Sequence, residues 1–107
     1  MKIIDKDILT RRYHTFDHRI DEEVYEKINK SYNRKKTVEI EYFNTKSAEI
    51  IERMIDVYYK DRRYVIGYCH IRKAIRKFRT SRIISAKITD KNYSIPGDFD
   101  KNKFTNL

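Results

Sequence analysis

The stretch Arg62-Arg63-Tyr64-Val65-Ile66-Gly67-Tyr68-Cys69-His70-Ile71 decides how this chain is read. Its side chains follow the two-residue rhythm of a β-strand, with Tyr64, Ile66, Tyr68 and His70 on one face and Val65, Gly67, Cys69 and Ile71 on the other. Both faces are largely apolar, as in a closed barrel or a covered sheet. Gly67 in mid-strand predicts a bend or the close approach of another backbone.

The flanking segments share this short-strand character. Ala74 to Arg79 predicts a strand, with Ala74, Arg76 and Phe78 opposite Ile75, Lys77 and Arg79, and Arg82 to Ile88 predicts a last one. Upstream, Glu49 to Tyr59 predicts a long, bent strand with Ile51, Ile55, Val57 and Tyr59 on one face. Thr37 to Phe43 places Val38, Ile40 and Tyr42 opposite Glu39 and Glu41. Before these, residues 21–34 read as a helix. Asp21 is the expected N-cap, Glu22 and Glu23 suit the positive end of the dipole, and Ile20, Val24, Ile28 and Tyr32 form an apolar stripe. Residues 1–20 read as an edge strand, a short helix or a flexible extension. Asn92 to Asp98 reads as a turn, followed by a polar tail over 101–107. The expected architecture is mainly β: one α-helix, then about five short strands, an order that usually closes into a small barrel.

Composition narrows the function classes. At 107 residues there is room for one small domain. Charged residues make up 38% of the chain and mean hydropathy is −0.86, so the core is small. The single cysteine, Cys69, excludes an intramolecular disulfide and fits a reducing compartment. No long apolar run marks a secretory signal or membrane span, so a cytoplasmic protein without membrane contact is expected. Two glycines are too few for a glycine-rich phosphate loop. The charge is local. Lys60 to Arg82 holds nine Lys/Arg against one acid, a net of +8 in a chain that totals +9. A basic segment interleaved with aromatics suits a polyanion whose bases can stack.

On these residues the chain resembles the WYL-domain family. The tripeptide that names the family falls at Arg63-Tyr64-Val65, with Arg63 in the tryptophan position and Val65 in the leucine position, and is followed by Gly67-Tyr68-Cys69-His70-Ile71-Arg72. A downstream Arg-x-Phe-Arg-x-x-Arg-Ile signature is met by Arg76, Phe78, Arg79, Arg82 and Ile83, and a closing stretch by Tyr93, Pro96 and Phe99. The resemblance covers roughly residues 21–100, leaving 1–20 as an N-terminal extension and 101–107 as a tail. It implies an Sm-like or SH3-like β-barrel behind one helix. It also implies a ligand-sensing role, usually in bacterial transcription regulators that carry an upstream helix-turn-helix. The ligand implied is a nucleotide or single-stranded DNA or RNA, and the positions carried over are Tyr64, His70, Arg72, Arg76, Phe78, Arg79 and Arg82. Twenty leading residues are too few for a helix-turn-helix, so a cut-out domain or a stand-alone module is expected.

The residue types agree with that role while leaving alternatives open. Guanidinium groups bond phosphate in bidentate fashion and stack on bases, but a basic run is also often a solvated face. Tyr64 reads equally as stacking platform and half-core, whereas Tyr68 and Phe78 lean to the core. Cys69 and His70, adjacent on a strand, point to opposite faces and do not form a nucleophile–base pair. His14 and His18 would share a helix face but lack a third ligand, so no metal and no cofactor are expected. The expected protein is a binder and not an enzyme. The competing readings are a small ribonuclease-like barrel using His70, and a module for homodimerisation or partner docking.

Overall fold

The computed structural model describes residues 19–105. Helix α1 spans Glu22–Arg34 and begins where the sequence predicts. The Asp21 carboxylate accepts the backbone N–H groups of Glu23 (3.0 Å) and Val24 (3.3 Å), capping two donors that the first turn leaves unpaired. At the other end Lys35 adopts a left-handed conformation (φ 54°), and its own Nζ closes on the Tyr32 carbonyl at 2.8 Å. The buried face is Val24, Ile28 and Ser31, with Tyr32 half-buried beside them.

The strands are β1 (Lys36–Asn44), β2 (Glu49–Lys60), β3 (Tyr64–Cys69), β4 (Ala74–Arg79) and β5 (Ile83–Asn92). They form one antiparallel sheet in the order β4-β3-β2-β1-β5. Strand β2 organises it. Its first half pairs with β1, from Asn44↔Glu49 to Val38↔Ile55, and its second half pairs with β3, from Ile55↔Cys69 to Lys60↔Val65. A register shift between Val57 and Tyr59 marks an irregularity at Tyr58, where a bulge bends the strand. The predicted long, bent strand is therefore observed.

The inner side of the sheet meets α1. Val24 and Ile28 join Val38, Ile40, Ile55, Val57, Val65, Cys69, Phe78, Ile83 and Ala86 in one cluster. Each fully buried aliphatic side chain contributes about 1.5–3 kcal/mol, so this small set carries much of the stability. Ile66 is also fully buried, apart from that cluster, so both faces of β3 are covered as its sequence implies. Gly67 is explained by a close approach. A Cβ there would lie 2.2 Å from the Asp56 carbonyl oxygen.

Three findings differ from expectation. Among the described residues β4 and β5 are the two edges of an open, bent sheet, and no pairing closes it into a barrel. The chain passes from one edge to the other through the 3-10 turn Thr80–Arg82. Thr80 pins this turn by donating its hydroxyl to the Asp61 carbonyl and its N–H to the Arg63 carbonyl, both at 2.9 Å. Strand β5 runs to Asn92, into the predicted turn. The polar tail contains a short helix, α2 (Asn102–Thr105), and it is tied back by aromatics. Tyr93 donates to the Val57 carbonyl (2.5 Å), Phe99 meets Tyr58 edge-on (5.3 Å) and Phe104 stacks on Phe99 (5.9 Å). Few apolar residues hid this segment, yet three rings suffice to fix it. The expectations for residues 1–18, including the His14/His18 pair, lie outside the described residues.

Two turns outside the helix cap also use left-handed residues that are not glycine, Ala48 (φ 58°) and Lys73 (φ 54°).

Candidate functional site

The β1–β2 and β3–β4 hairpins and the turn before β5 enclose a cleft of about 340 Å³. Six cations line it: Lys46, Arg53, Arg72, Arg76, Lys77 and Arg82. Asn44 and Thr45 add neutral polar groups, and Tyr42, Ile51, Cys69 and Phe78 give apolar surface. No carboxylate is among the lining residues. Four guanidinium groups around one depression suit a phosphate-rich ligand, because each offers a planar fork of donors.

Backbone geometry explains the convergence. On β4, Arg76 shares the inner face with Phe78, the position opposite Val65. On β2, Arg53 follows Ile51 and precedes Ile55 on the face that pairs with Ile40. Arg72 stands in the β3–β4 turn and Arg82 ends the 3-10 turn. Tyr42 and Phe78 meet edge-to-face at 5.0 Å, and the Tyr42 hydroxyl accepts the Arg79 N–H at 2.9 Å. The floor is thus held from both β1 and β4.

Of the seven sequence candidates, the structure brings four to this cleft: Arg72, Arg76, Phe78 and Arg82. Phe78 is 6% exposed and belongs to the core, so it offers the cleft little more than an edge. Three lie elsewhere. Tyr64 is half-buried at the opposite face of β4's neighbour strand, with Lys77 Nζ 4.3 Å and Arg79 Cζ 5.8 Å from its ring centroid. Lys77 therefore links the cleft to that outer face. His70 Nε2 stands 2.8 Å from Asp56 Oδ1, an oxygen that also accepts the Thr37 hydroxyl at 2.6 Å. Asp56 is 9% exposed, so this is a buried acceptor satisfied from β1 and from the β3–β4 turn.

Sequence reasoning missed Arg53, Lys46, Lys77 and Tyr42. Arg53 carried a signal. It is a charge on the apolar face of an alternating strand, between Ile51 and Ile55, where a long cation is expected only if it reaches an opening.

A second group of cations sits at the far end of β2 against α1. Arg62 and Lys60 lie 4.8 and 5.6 Å from the Tyr25 ring, and Lys60 and Lys35 lie 5.8 and 4.3 Å from the Tyr32 ring. Arg62 also bonds Glu22, which raises its pKa. Each of these cations is satisfied by a ring or a carboxylate.

The one acid of the basic segment is structural. Asp61 accepts the Tyr59 hydroxyl (2.6 Å) and the N–H groups of Arg63 and Tyr64 (both 2.7 Å), forming the β2–β3 turn. Burial works to raise its pKa, but these hydrogen bonds outweigh it and the net shift is downward. Among the described residues no group of three or more His, Cys, Asp or Glu is placed to hold a metal ion. Nor is any described helix long and apolar enough to cross a membrane.

Comparison with known proteins places this geometry. No curated protein matches the sequence. Among solved structures, the chain is similar to proteasome accessory factor B/C (PafBC) of Arthrobacter aurescens, with a TM-score of 0.68 at 19% identity. That likeness covers 75% of this chain and only 14% of that one, and it speaks to the fold alone. The family model described as the WYL domain matches residues 23–88, from the first turn of α1 into β5 and across every strand that frames the cleft. The chain belongs to the WYL-domain family.

Proposed function

We propose that this chain is a ligand-sensing WYL module that takes a nucleotide or a stretch of single-stranded DNA or RNA in the basic cleft. On this reading it regulates transcription or a nucleic-acid-processing partner. One observation carries the proposal: four arginines and two lysines line a single cleft to which no carboxylate contributes. Arg53, Arg72, Arg76 and Arg82 bind phosphate groups. Tyr42 and the edge of Phe78 offer apolar contact to a base or sugar, and Tyr64 with Arg79 extends the basic surface around β4.

The proposal is for a binder and not a catalyst. His70 is the only histidine among the described residues, and its Nε2 is engaged by Asp56 outside the cleft. The domain is taken as residues 21–100 of a cytoplasmic protein. An Sm-like or SH3-like curl of the sheet belongs to the same proposal, supported by the irregularity in β2 and by Tyr42 reaching from β1 to the backbone at the end of β4. Self-association into a homodimer is compatible with it.

The test is fluorescence anisotropy with labelled single-stranded oligonucleotides at two salt concentrations. Binding through phosphates predicts a fall of about 0.7 log unit in affinity per contact for each tenfold rise in salt on single strands. Equal affinity for wild type and an Arg76→Ala/Arg82→Ala double variant, or no binding at low salt, sinks the proposal.

A further inference from the structure

We infer that His70 is a positioning residue that makes ligand binding in the cleft depend on pH, through its grip on the turn that carries Arg72. The inference rests on the cleft being the ligand site.

The β3–β4 connection is the four-residue turn His70–Lys73. Ile71, Arg72 and Lys73 are exposed, and Ile71 at 69% is the most exposed large hydrophobic residue described. The turn closes on itself when the Lys73 N–H reaches the Cys69 carbonyl at 2.7 Å. His70 ties it to β2, through the backbone N–H to the Met54 carbonyl (3.0 Å) and through the ring to Asp56 (2.8 Å). Arg72, two residues on, lines the cleft.

The anchor is rigid at one end and titratable at the other. Asp56 is fixed by burial and by the Thr37 hydroxyl, whereas the His70 side chain is 37% exposed. The groups that face His70 are Asp56, Glu52 and Arg53 from β2, Glu39 from β1 and the Tyr68 ring from β3, at 5.6 Å. Three of the five are carboxylates, and Asp56 is the one in hydrogen-bond contact with the ring. Histidine is the side chain that gains charge as pH falls from mildly alkaline to mildly acidic, and a charge-assisted hydrogen bond is about twice as strong as a neutral one. With His70 charged, the turn is held against β2 and Arg72 is held at the cleft. With His70 neutral, the tie weakens and Arg72 is less well placed.

The experiment uses the full chain and a labelled oligothymidylate, whose phosphodiesters keep their charge across the range. Affinity is measured from pH 5.5 to pH 8 at constant ionic strength, with circular dichroism confirming the fold at each point. The wild type is expected to bind about three- to tenfold more tightly at the acid end. His70→Gln, which keeps a donor but cannot charge, flattens that profile. Arg72→Ala binds more weakly and is flat as well, because the load on the anchor is gone. A general field effect of a charged ring leaves the slope intact in Arg72→Ala. A slope that survives in either variant, or a flat wild type that still binds, overturns the inference. A wild type that binds at no pH overturns the cleft reading itself.

Discussion

The two ends of β2 carry cations of the same kind in opposite circumstances. At one end Arg53 joins Arg72, Arg76 and Arg82 around a cleft that no carboxylate lines. At the other, Lys60 and Arg62 lie over the rings of Tyr25 and Tyr32, and Arg62 is bonded to Glu22. Sequence places Lys60, Arg62 and Arg72 to Arg82 in one basic segment with a net charge of +8. The fold divides it. One set of cations lies over the rings of α1 and joins helix to sheet, whereas the other set lines an opening. A high positive charge is thus a property of the chain, while an anion site is a property of where the charges point.

Substitutions can break or sharpen that contrast. The largest effect is expected where both regions share their frame. Gly67→Ala puts a carbon 2.2 Å from the Asp56 carbonyl oxygen, and forcing β3 away from β2 should cost about 2–4 kcal/mol in urea unfolding. A loss under half of that would mean the approach is softer than its geometry. Next comes the contrast itself. Arg53→Ala or Arg76→Ala should weaken oligonucleotide binding by about 1.5–3 kcal/mol with little change in stability. Lys60→Ala should leave affinity within about twofold, since it removes at most one distant charge from the ligand's view. If Lys60→Ala and Arg76→Ala weaken binding equally, charge alone governs and the contrast collapses.

Tyr32→Leu reverses the readouts. It should cost about 1 kcal/mol of stability by removing the ring beneath Lys35 and Lys60, with affinity unchanged. The smallest effect concerns Asp61. Its folded pKa lies below the ordinary value, so the stability it contributes is present above about pH 4 and is lost as pH falls through the lowered folded value. Asp61→Asn should therefore flatten the acid limb of a stability-against-pH curve while leaving binding at neutral pH unaltered.

Much of the scaffold was legible because local signals agreed. Asp21 before two glutamates set the start of α1, and strict alternation fixed β1, β3 and β4. The site was legible in part. Arg72, Arg76, Phe78 and Arg82 were found because they cluster in sequence, and Tyr64, Arg79 and His70 were grouped with them for the same reason. Alternation alone separates Arg79 from Arg76, and a buried acid fourteen residues upstream takes the ring of His70. Arg53 was missed because it belongs to a different hairpin, which only the bend in β2 brings round. Barrel closure, too, depends on how far a sheet curls, a property of bulges and not of composition.

The left-handed residues Lys35, Ala48 and Lys73 bear on how the protein can be engineered. A chain with two glycines in 107 residues turns its corners with side chains that resist the shape, at about 1 kcal/mol each. Ala48 has no side-chain bond to offset that resistance. Ala48, exposed in the β1–β2 turn, is therefore a place where glycine would raise the melting temperature without replacing a cation, a reserve of robustness held in a hairpin bend.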